Sequence, residues 1–233
     1  MLKQDPLIKA NLGVWDGYHV PMHTCEVRRF IQLLSSEEPG LLLDVGCADG
    51  QLGEHLNCLG WKSFGIDVSP ANAYAATSRG VTSSISNLGS PLPFASNRFD
   101  AVVAKEVIEH LVDTRLLVAE CWRVLRPGGC LILGTPNLAS LSNRFRLLFG
   151  LYPGWMDYQV EGGIGHVRYY TLQTLCLQLT SAAFRVEKAV GTSLALPLLA
   201  RFLDSDRAGW LAWLGYKLPS LSAVFVVKAR KVT

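Results

Sequence analysis

The chain has 233 residues, long enough for one α/β domain with a sizeable core and too short to hold two comfortably. Lys and Arg number 22 against 19 Asp and Glu, a formal +3 spread along the chain, so no nucleic-acid footprint is indicated. Only 18% of residues are charged against 49% hydrophobic, with a mean hydropathy of +0.23; this excludes an intrinsically disordered or collagen-like protein and leaves open an unusually apolar surface.

Residues 1–10 carry Lys3, Asp5 and Lys9 with no following apolar core or small-residue cleavage pattern, so no secretory signal is expected and a cytoplasmic location is. His19 and His23 flank Pro21 at the entry to an N-terminal helix, where either could help cover a ligand. Residues 41–45 read as a buried strand ending at Gly46, residues 50–59 as a helix, and residues 63–68 as a second strand with Asp67 near its end. Ser69 then caps a helix that has Pro70 in its first turn. Residues 81–86 form a weaker, more polar strand near a sheet edge, and residues 99–104 a fourth strand. Over 113–126, Leu116, Leu117, Val118, Cys121, Val124 and Leu125 fall at helical spacing, and Pro127, Gly128 and Gly129 are expected to stop that helix. A fifth strand follows at 130–134.

The rhythm then breaks. Residues 135–170 predict no strand and far exceed the roughly 2–6 residues usual for a loop in an α/β unit, which marks a functional insertion. A helix at 171–183 and a strand at 185–190 resume the pattern, and an apolar, Trp-containing segment at 193–222 precedes a last strand at 223–229. The apolar run 189–200 is interrupted by Thr192, Ser193 and Pro197, as every other run is interrupted, short of the roughly 18 residues a membrane span needs. Cys25, Cys47, Cys58, Cys121, Cys130 and Cys176 lack C-x-x-C spacing and read as reduced thiols, not as disulfides or a zinc site. Short apolar runs alternating with amphipathic stretches predict a parallel sheet covered by helices on both faces.

The sharpest motif is Asp44-Val45-Gly46-Cys47-Ala48-Asp49-Gly50, a strand running into a glycine turn and then a helix. Glycines let the backbone turn tightly and approach a ligand, and the helix beyond presents unpaired N–H groups. A carboxylate at the end of the next strand, Asp67, can accept from ribose hydroxyls. Together these describe a nucleoside-binding crevice. A dinucleotide dehydrogenase would use a similar architecture, but Gly46, Gly50 and Gly53 run G-x-x-x-G-x-x-G rather than G-x-G-x-x-G.

The loop resembles the D-x-G-x-G-x-G motif of the class I S-adenosylmethionine-dependent methyltransferases, with Asp44, Gly46 and Gly50 matching and Ala48 in place of the middle glycine. Further collinear stretches carry the same resemblance: Leu92-Pro93-Phe94 leading to Phe99-Asp100-Ala101-Val102, then Glu106-Val107-Ile108-Glu109-His110, then Leu125-Arg126-Pro127-Gly128-Gly129. Gly165-His166-Val167-Arg168-Tyr169-Tyr170-Thr171 is similar to the G-H-x-R element of a subgroup that includes ubiquinone-biosynthesis-type and related small-molecule methyltransferases. The resemblance covers about 41–190.

It implies an α/β fold, a Rossmann-like three-layer sandwich with a seven-stranded, mostly parallel sheet whose last strand is antiparallel. One methyltransferase domain would span 1–233, with an acceptor-site insertion at 135–170 and an apolar cover at 193–222. The implied cofactor is S-adenosyl-L-methionine. Asp67, with Val68 beside it, would hold the ribose; Asn87 and Leu88 would bracket the adenine, Asn87 replacing the family's usual acid. Asp44, Gly46, Cys47 and Gly50 would lie along the methionine part, with Lys105 where the family's backbone passes the methionine end. His110 or His166 would act as general base, against the plainer reading of His110 and Glu109 as polar residues opening a helix. In some relatives a metal accompanies the E-x-x-E-H segment, but Glu106, Glu109 and His110 alone are an incomplete set and none is expected.

Arg144 and Arg146 sit among large apolar residues at helical spacing, either as solvated charges on a cover helix or facing the acceptor or lipid head groups. The expected acceptor is a small molecule methylated on oxygen, hydrophobic or lipid-linked, with peripheral membrane contact and no transmembrane segment. Two other classes stay open: a nucleotide-dependent oxidoreductase, and a methyltransferase-fold protein that binds without catalysing.

Overall fold

The apolar runs become neighbouring strands of one sheet in the computed structural model, which describes residues 24–154, 165–195 and 209–232. The elements in chain order are α1 (Cys25–Leu34), β1 (Leu41–Val45), α2 (Gln51–Cys58), β2 (Lys62–Asp67), α3 (Pro70–Ser78), β3 (Thr82–Ile85), β4 (Phe99–Lys105), a 3₁₀ turn (Ile108–His110) and α4 (Thr114–Val124). There follow β5 (Leu125–Pro136), α5 (Leu141–Leu148), α6 (Leu172–Ser181), β6 (Phe184–Gly191), α7 (Gly209–Lys217) and β7 (Val224–Lys231). The sheet has seven strands in the order β3-β2-β1-β4-β5-β7-β6. β7, the last strand, runs antiparallel to both neighbours and the other pairings are parallel.

Successive strand residues face opposite sides, and here both sides are apolar. Leu42, Ala101, Val103 and Ile132 pack with α1 and α2. Leu43, Val102, Ala104 and Leu133 pack with α4 and α6 on the other side. That two-sided burial gives three layers and explains why the central strands are continuous apolar runs without a polar face. β3 is the polar edge strand that its Thr-Ser-Ser-Ile sequence predicts.

Two boundaries differ from expectation. The helix starting after the Asp113 cap ends at Val124, before Pro127, and Leu125 turns extended to pair with Phe99. The register then shifts before Ala101 pairs with Cys130, so Arg126, Pro127, Gly128 and Gly129 form an irregular entry into a longer β5 rather than a turn. β5 also runs two residues into the supposed insertion, to Pro136, and residues 141–148 within it are helical. His19 and His23 lie outside the described residues.

Candidate active site

Between β1 and β4 the strand order reverses, and the crevice beyond the carboxyl ends of those strands is where open α/β sheets bind ligands. The glycine turn lies there. Gly46 adopts φ +72 and Gly50 φ +81. A Cβ on Gly46 would strike the Val107 side chain, and one on Gly50 would lie 2.6 Å from the Ala76 Cα, so both positions require glycine. Gly46 and Cys47 both donate backbone N–H groups to the Ile66 carbonyl, and Gly50 caps α2. The Cys47 side chain is tucked against Gly65 rather than presented to the crevice, and burial pushes its thiol well up.

Ala48, standing where the family motif has its middle glycine, is itself held at φ +46. An L side chain pays roughly 1–2 kcal/mol there, partly offset by the extra unfolded-state freedom of glycine. Ala48→Gly is therefore expected to raise unfolding free energy by about 0.5–1 kcal/mol in chemical denaturation. A destabilised variant would show that the loop carries no such strain.

Asp67 sits buried at the end of β2 and organises the turn. Its Oδ2 accepts from the Ala48 N–H at 2.9 Å, and its Oδ1 from the Ser69 N–H at 2.9 Å and the Asn72 amide at 3.4 Å. Burial raises its pKa, against the lowering effect of these donors. Val68 follows, half-buried. Asn87 and Leu88 come after β3, where the Ser86 N–H reaches the Asp67 carbonyl. The Asn87 Oδ1 accepts from the Gly89 N–H at 2.8 Å, which fixes the side chain in an Asx turn while leaving its second lone pair. Leu88 packs against the core.

Charges gather at the ends of β1 and β4. Burial pushes the Asp44 carboxyl up to about 7, with Lys105 lowering it and Asp67 raising it. The Lys105 Nζ lies 3.6 Å from the Glu26 Oε2 and 3.6 Å from the Glu106 Oε2. Glu26 reaches this place from α1. Burial, with Glu106 adding, pushes its carboxyl up to about 8 against the pull of Lys105.

Beside them the structure brings together residues far apart in sequence. Glu109 and His110 lie in the 3₁₀ turn, not at the start of a helix. Val167 and Arg168 both donate N–H groups to the Glu109 carbonyl, and the Arg168 guanidinium bonds the Val112 carbonyl, which docks the Gly-His segment on this turn. His166 thereby stands over His110, with ring centroids 4.7 Å apart. The His110 Nδ1 is 3.0 Å from the Gly165 carbonyl, and the His166 Nε2 is 4.0 Å from the Glu109 Oε1. The other oxygen, Oε2, accepts from the Thr135 hydroxyl at 2.9 Å, and burial raises the Glu109 pKa far above its ordinary value.

One donor atom each from Glu109, His110 and His166 lies within 4.8 Å of the others. His166 joins Glu109 and His110 in this group, and Glu106 is not part of it.

Sequence reasoning missed Glu26 and Thr135. Glu26 was detectable in part: Thr24 is a good N-cap, and Val27, Phe30, Leu33 and Leu34 recur at helical spacing on the face that also carries Glu26.

A family model described as a methyltransferase domain matches residues 43–133. The human mitochondrial ubiquinone biosynthesis O-methyltransferase is 30% identical over 159 residues, covering 58% of this chain and 43% of that protein. The ubiquinone biosynthesis O-methyltransferase of Xanthomonas oryzae pv. oryzae is 32% identical over 130 residues, covering 52% and 54%. This chain therefore spans about half the length of these curated relatives. Among solved structures, an S-adenosylmethionine-dependent methyltransferase from Thermotoga maritima has a TM-score of 0.65 at 20% identity, over 90% of each chain. One from Mesorhizobium loti has a TM-score of 0.63 at 16% identity, over 89% of this chain and 98% of its own. The glycine turn at the β1–β4 switch point thus lies inside the stretch that matches the methyltransferase-domain model, on a fold similar to those of solved S-adenosylmethionine-dependent methyltransferases.

Proposed function

We propose that this chain transfers a methyl group from S-adenosyl-L-methionine to an oxygen of a small, hydrophobic or lipid-linked acceptor. The observation that carries the reading is the pairing of a glycine cradle, which a Cβ at Gly46 or Gly50 would fill, with a cluster of the buried Glu109 and the half-buried His110 and His166 at the next strand end. When bound, S-adenosyl-L-methionine supplies an electrophilic methyl on a sulfonium. Asp67 holds the ribose through its remaining lone pair, with Val68 beside it, and Asn87 and Leu88 bracket the adenine. Asp44, Gly46, Cys47, Gly50 and Lys105 line the methionine part, Cys47 through its backbone.

In-line displacement asks the protein mainly to align acceptor and methyl carbon. A hydroxyl must also lose its proton, and His110 or His166 receives it on a ring nitrogen, with Glu109 steadying the resulting imidazolium. One observation favours a second reading of this cluster: the Glu109 Oε1 is buried with no hydrogen-bond partner. A carboxylate oxygen and two imidazoles suit a divalent cation, so the three residues would hold one, and it would polarise the acceptor oxygen.

A lipid-linked acceptor is supported by the ubiquinone-biosynthesis relatives and by the exposed apolar surface of the insertion. Leu147, Leu148, Phe149 and Leu151 are exposed at and beyond the end of α5, close in sequence to Arg144 and Arg146. Among the described residues no helix is long and apolar enough to cross a membrane, so contact would be peripheral. The test is transfer of labelled methyl from S-adenosyl-L-methionine to phenolic acceptors with and without an alkyl tail, free and in phospholipid vesicles. Label is expected on the tailed phenol. Cofactor binding with no transfer to any acceptor would instead support a binding protein.

A further inference from the structure

We propose that Thr135 is a positioning residue of the site: its hydroxyl holds the Oε2 of Glu109 and so turns Oε1 towards the His166 ring. The inference rests on the proposed part of Glu109, His110 and His166 in methyl transfer. Thr135 lies near the end of β5, where successive residues face opposite sides of the sheet. A Cβ on Gly134 would meet Glu26 and Phe30 of α1. Thr135 therefore faces the other side, in line with Leu131 and Leu133, which pack with α4 and α6.

That line predicts a third apolar side chain, and a valine would have the shape for it. Threonine instead carries a hydroxyl into a fully buried place, where a polar group is costly unless it is hydrogen-bonded. The bond goes to Glu109, with 2.9 Å between the Thr135 Oγ1 and the Glu109 Oε2. The second carboxylate oxygen, Oε1, is buried with no hydrogen-bond partner among the described residues and stands 4.0 Å from the His166 Nε2. One oxygen is tethered and the other is left for the chemistry. That division serves both readings of the cluster, since an imidazolium and a divalent cation alike need Oε1 at a fixed place.

The tether is itself rigid. Thr135 pairs with Phe225, and Pro136 with Val224, across β5 and β7. Just beyond, the Asn137 N–H donates to the Ala223 carbonyl, and its side-chain amide donates to the Ser220 and Ser222 carbonyls at 3.1 and 2.9 Å. A β-branched side chain on such a strand has few χ1 choices. Glu109, by contrast, sits in a single 3₁₀ turn, and its longer side chain takes one orientation only where a fixed partner selects it.

Thr135→Val removes the hydroxyl and keeps the shape, and Thr135→Ser keeps the hydroxyl. In the labelled-methyl assay with the tailed phenol, Thr135→Val is expected to lower kcat by about 10-fold or more, with acceptor KM and calorimetric S-adenosyl-L-methionine affinity within about 2-fold of wild type. Thr135→Ser is expected to keep kcat within about 3-fold of wild type. Added to Glu109→Gln, Thr135→Val should cost less than about 2-fold more, because the carboxylate it aims is gone. Thr135→Ala, which also lacks the hydroxyl, makes the same comparison where a melting curve shows Thr135→Val unfolded. Unchanged kcat in Thr135→Val, a Thr135→Ser enzyme no better than Thr135→Val, or a full further loss on top of Glu109→Gln would overturn the proposal while the role of the cluster stands. A fully active Glu109→Gln removes the underlying reading and the proposal with it. Crystal structures of the variants read the same point without turnover: the Glu109 carboxylate is expected to turn away from His166 in Thr135→Val and to stay in place in Thr135→Ser. An unmoved carboxylate in Thr135→Val overturns the proposal even where no acceptor is methylated.

Discussion

An Asp67→Ala protein is expected to bind S-adenosyl-L-methionine about 100-fold more weakly than the wild type, close to 3 kcal/mol. The side chain does two things at once. Its two oxygens fix the turn by accepting from the Ala48 and Ser69 N–H groups and the Asn72 amide. A carboxylate has about four lone-pair directions, so with three donors already accepted one direction, on Oδ2, remains for a ribose hydroxyl. Truncation removes both the ligand contact and the tether that positions the glycine turn over β2. Asp67→Asn keeps the volume and one acceptor oxygen and should lose about 10-fold. Calorimetry measures affinity, and a melting curve separates local loss from unfolding. Unchanged affinity in Asp67→Ala would place the ribose elsewhere.

The second large effect is on turnover. His166→Ala, His110→Ala and Glu109→Gln are each expected to lower kcat by about 10²–10³-fold while changing cofactor affinity little, since the cluster lies beyond the glycine turn. The three should not be additive, because they act through one small unit: His166 faces the Glu109 carboxylate and its ring lies tilted against that of His110. Chelator treatment then divides the two readings of the cluster. Activity that falls with a chelator and returns with a divalent cation assigns the residues as ligands; indifference to the chelator leaves them as acid and base. Full turnover at neutral pH in any one variant would remove that residue from the chemistry.

Much of the framework was legible because local and tertiary preferences agree. Residues 41–45 are apolar apart from Asp44, and β1 runs over those same residues. Ser69 followed by Pro70 marks a helix start, and the Ser69 hydroxyl accepts from the Asn72 N–H as a cap should. The polar Thr-Ser-Ser-Ile stretch is the edge strand. The end of α4 was misread because the breaker signal at Pro127–Gly129 was taken for the stop, when the pairing of Leu125 with Phe99 had already drawn the chain into the sheet.

The candidate site residues on the glycine turn and the two histidines were singled out by motif, but which of them meet was legible only for the contiguous unit. The glycine turn and Asp67 follow each other along one strand-turn-helix-strand unit, so spacing reveals them. His166 meets His110 only because the segment at 165–168 hydrogen-bonds to the Glu109 carbonyl, a long-range contact with no local signature. Glu26 was hidden for a related reason. An acid within an apolar helical face reads as a solvated interruption until the Lys105 ammonium is found opposite it.

The central claim is that the β1–β4 crevice is built for S-adenosyl-L-methionine and not for a dinucleotide. Calorimetric titration of the whole chain with S-adenosyl-L-methionine, and separately with NAD and NADP, tests it most directly. One equivalent of S-adenosyl-L-methionine binding in the micromolar range, with no heat from either dinucleotide, is the predicted result. Saturable binding of NAD or NADP with none of S-adenosyl-L-methionine would contradict it.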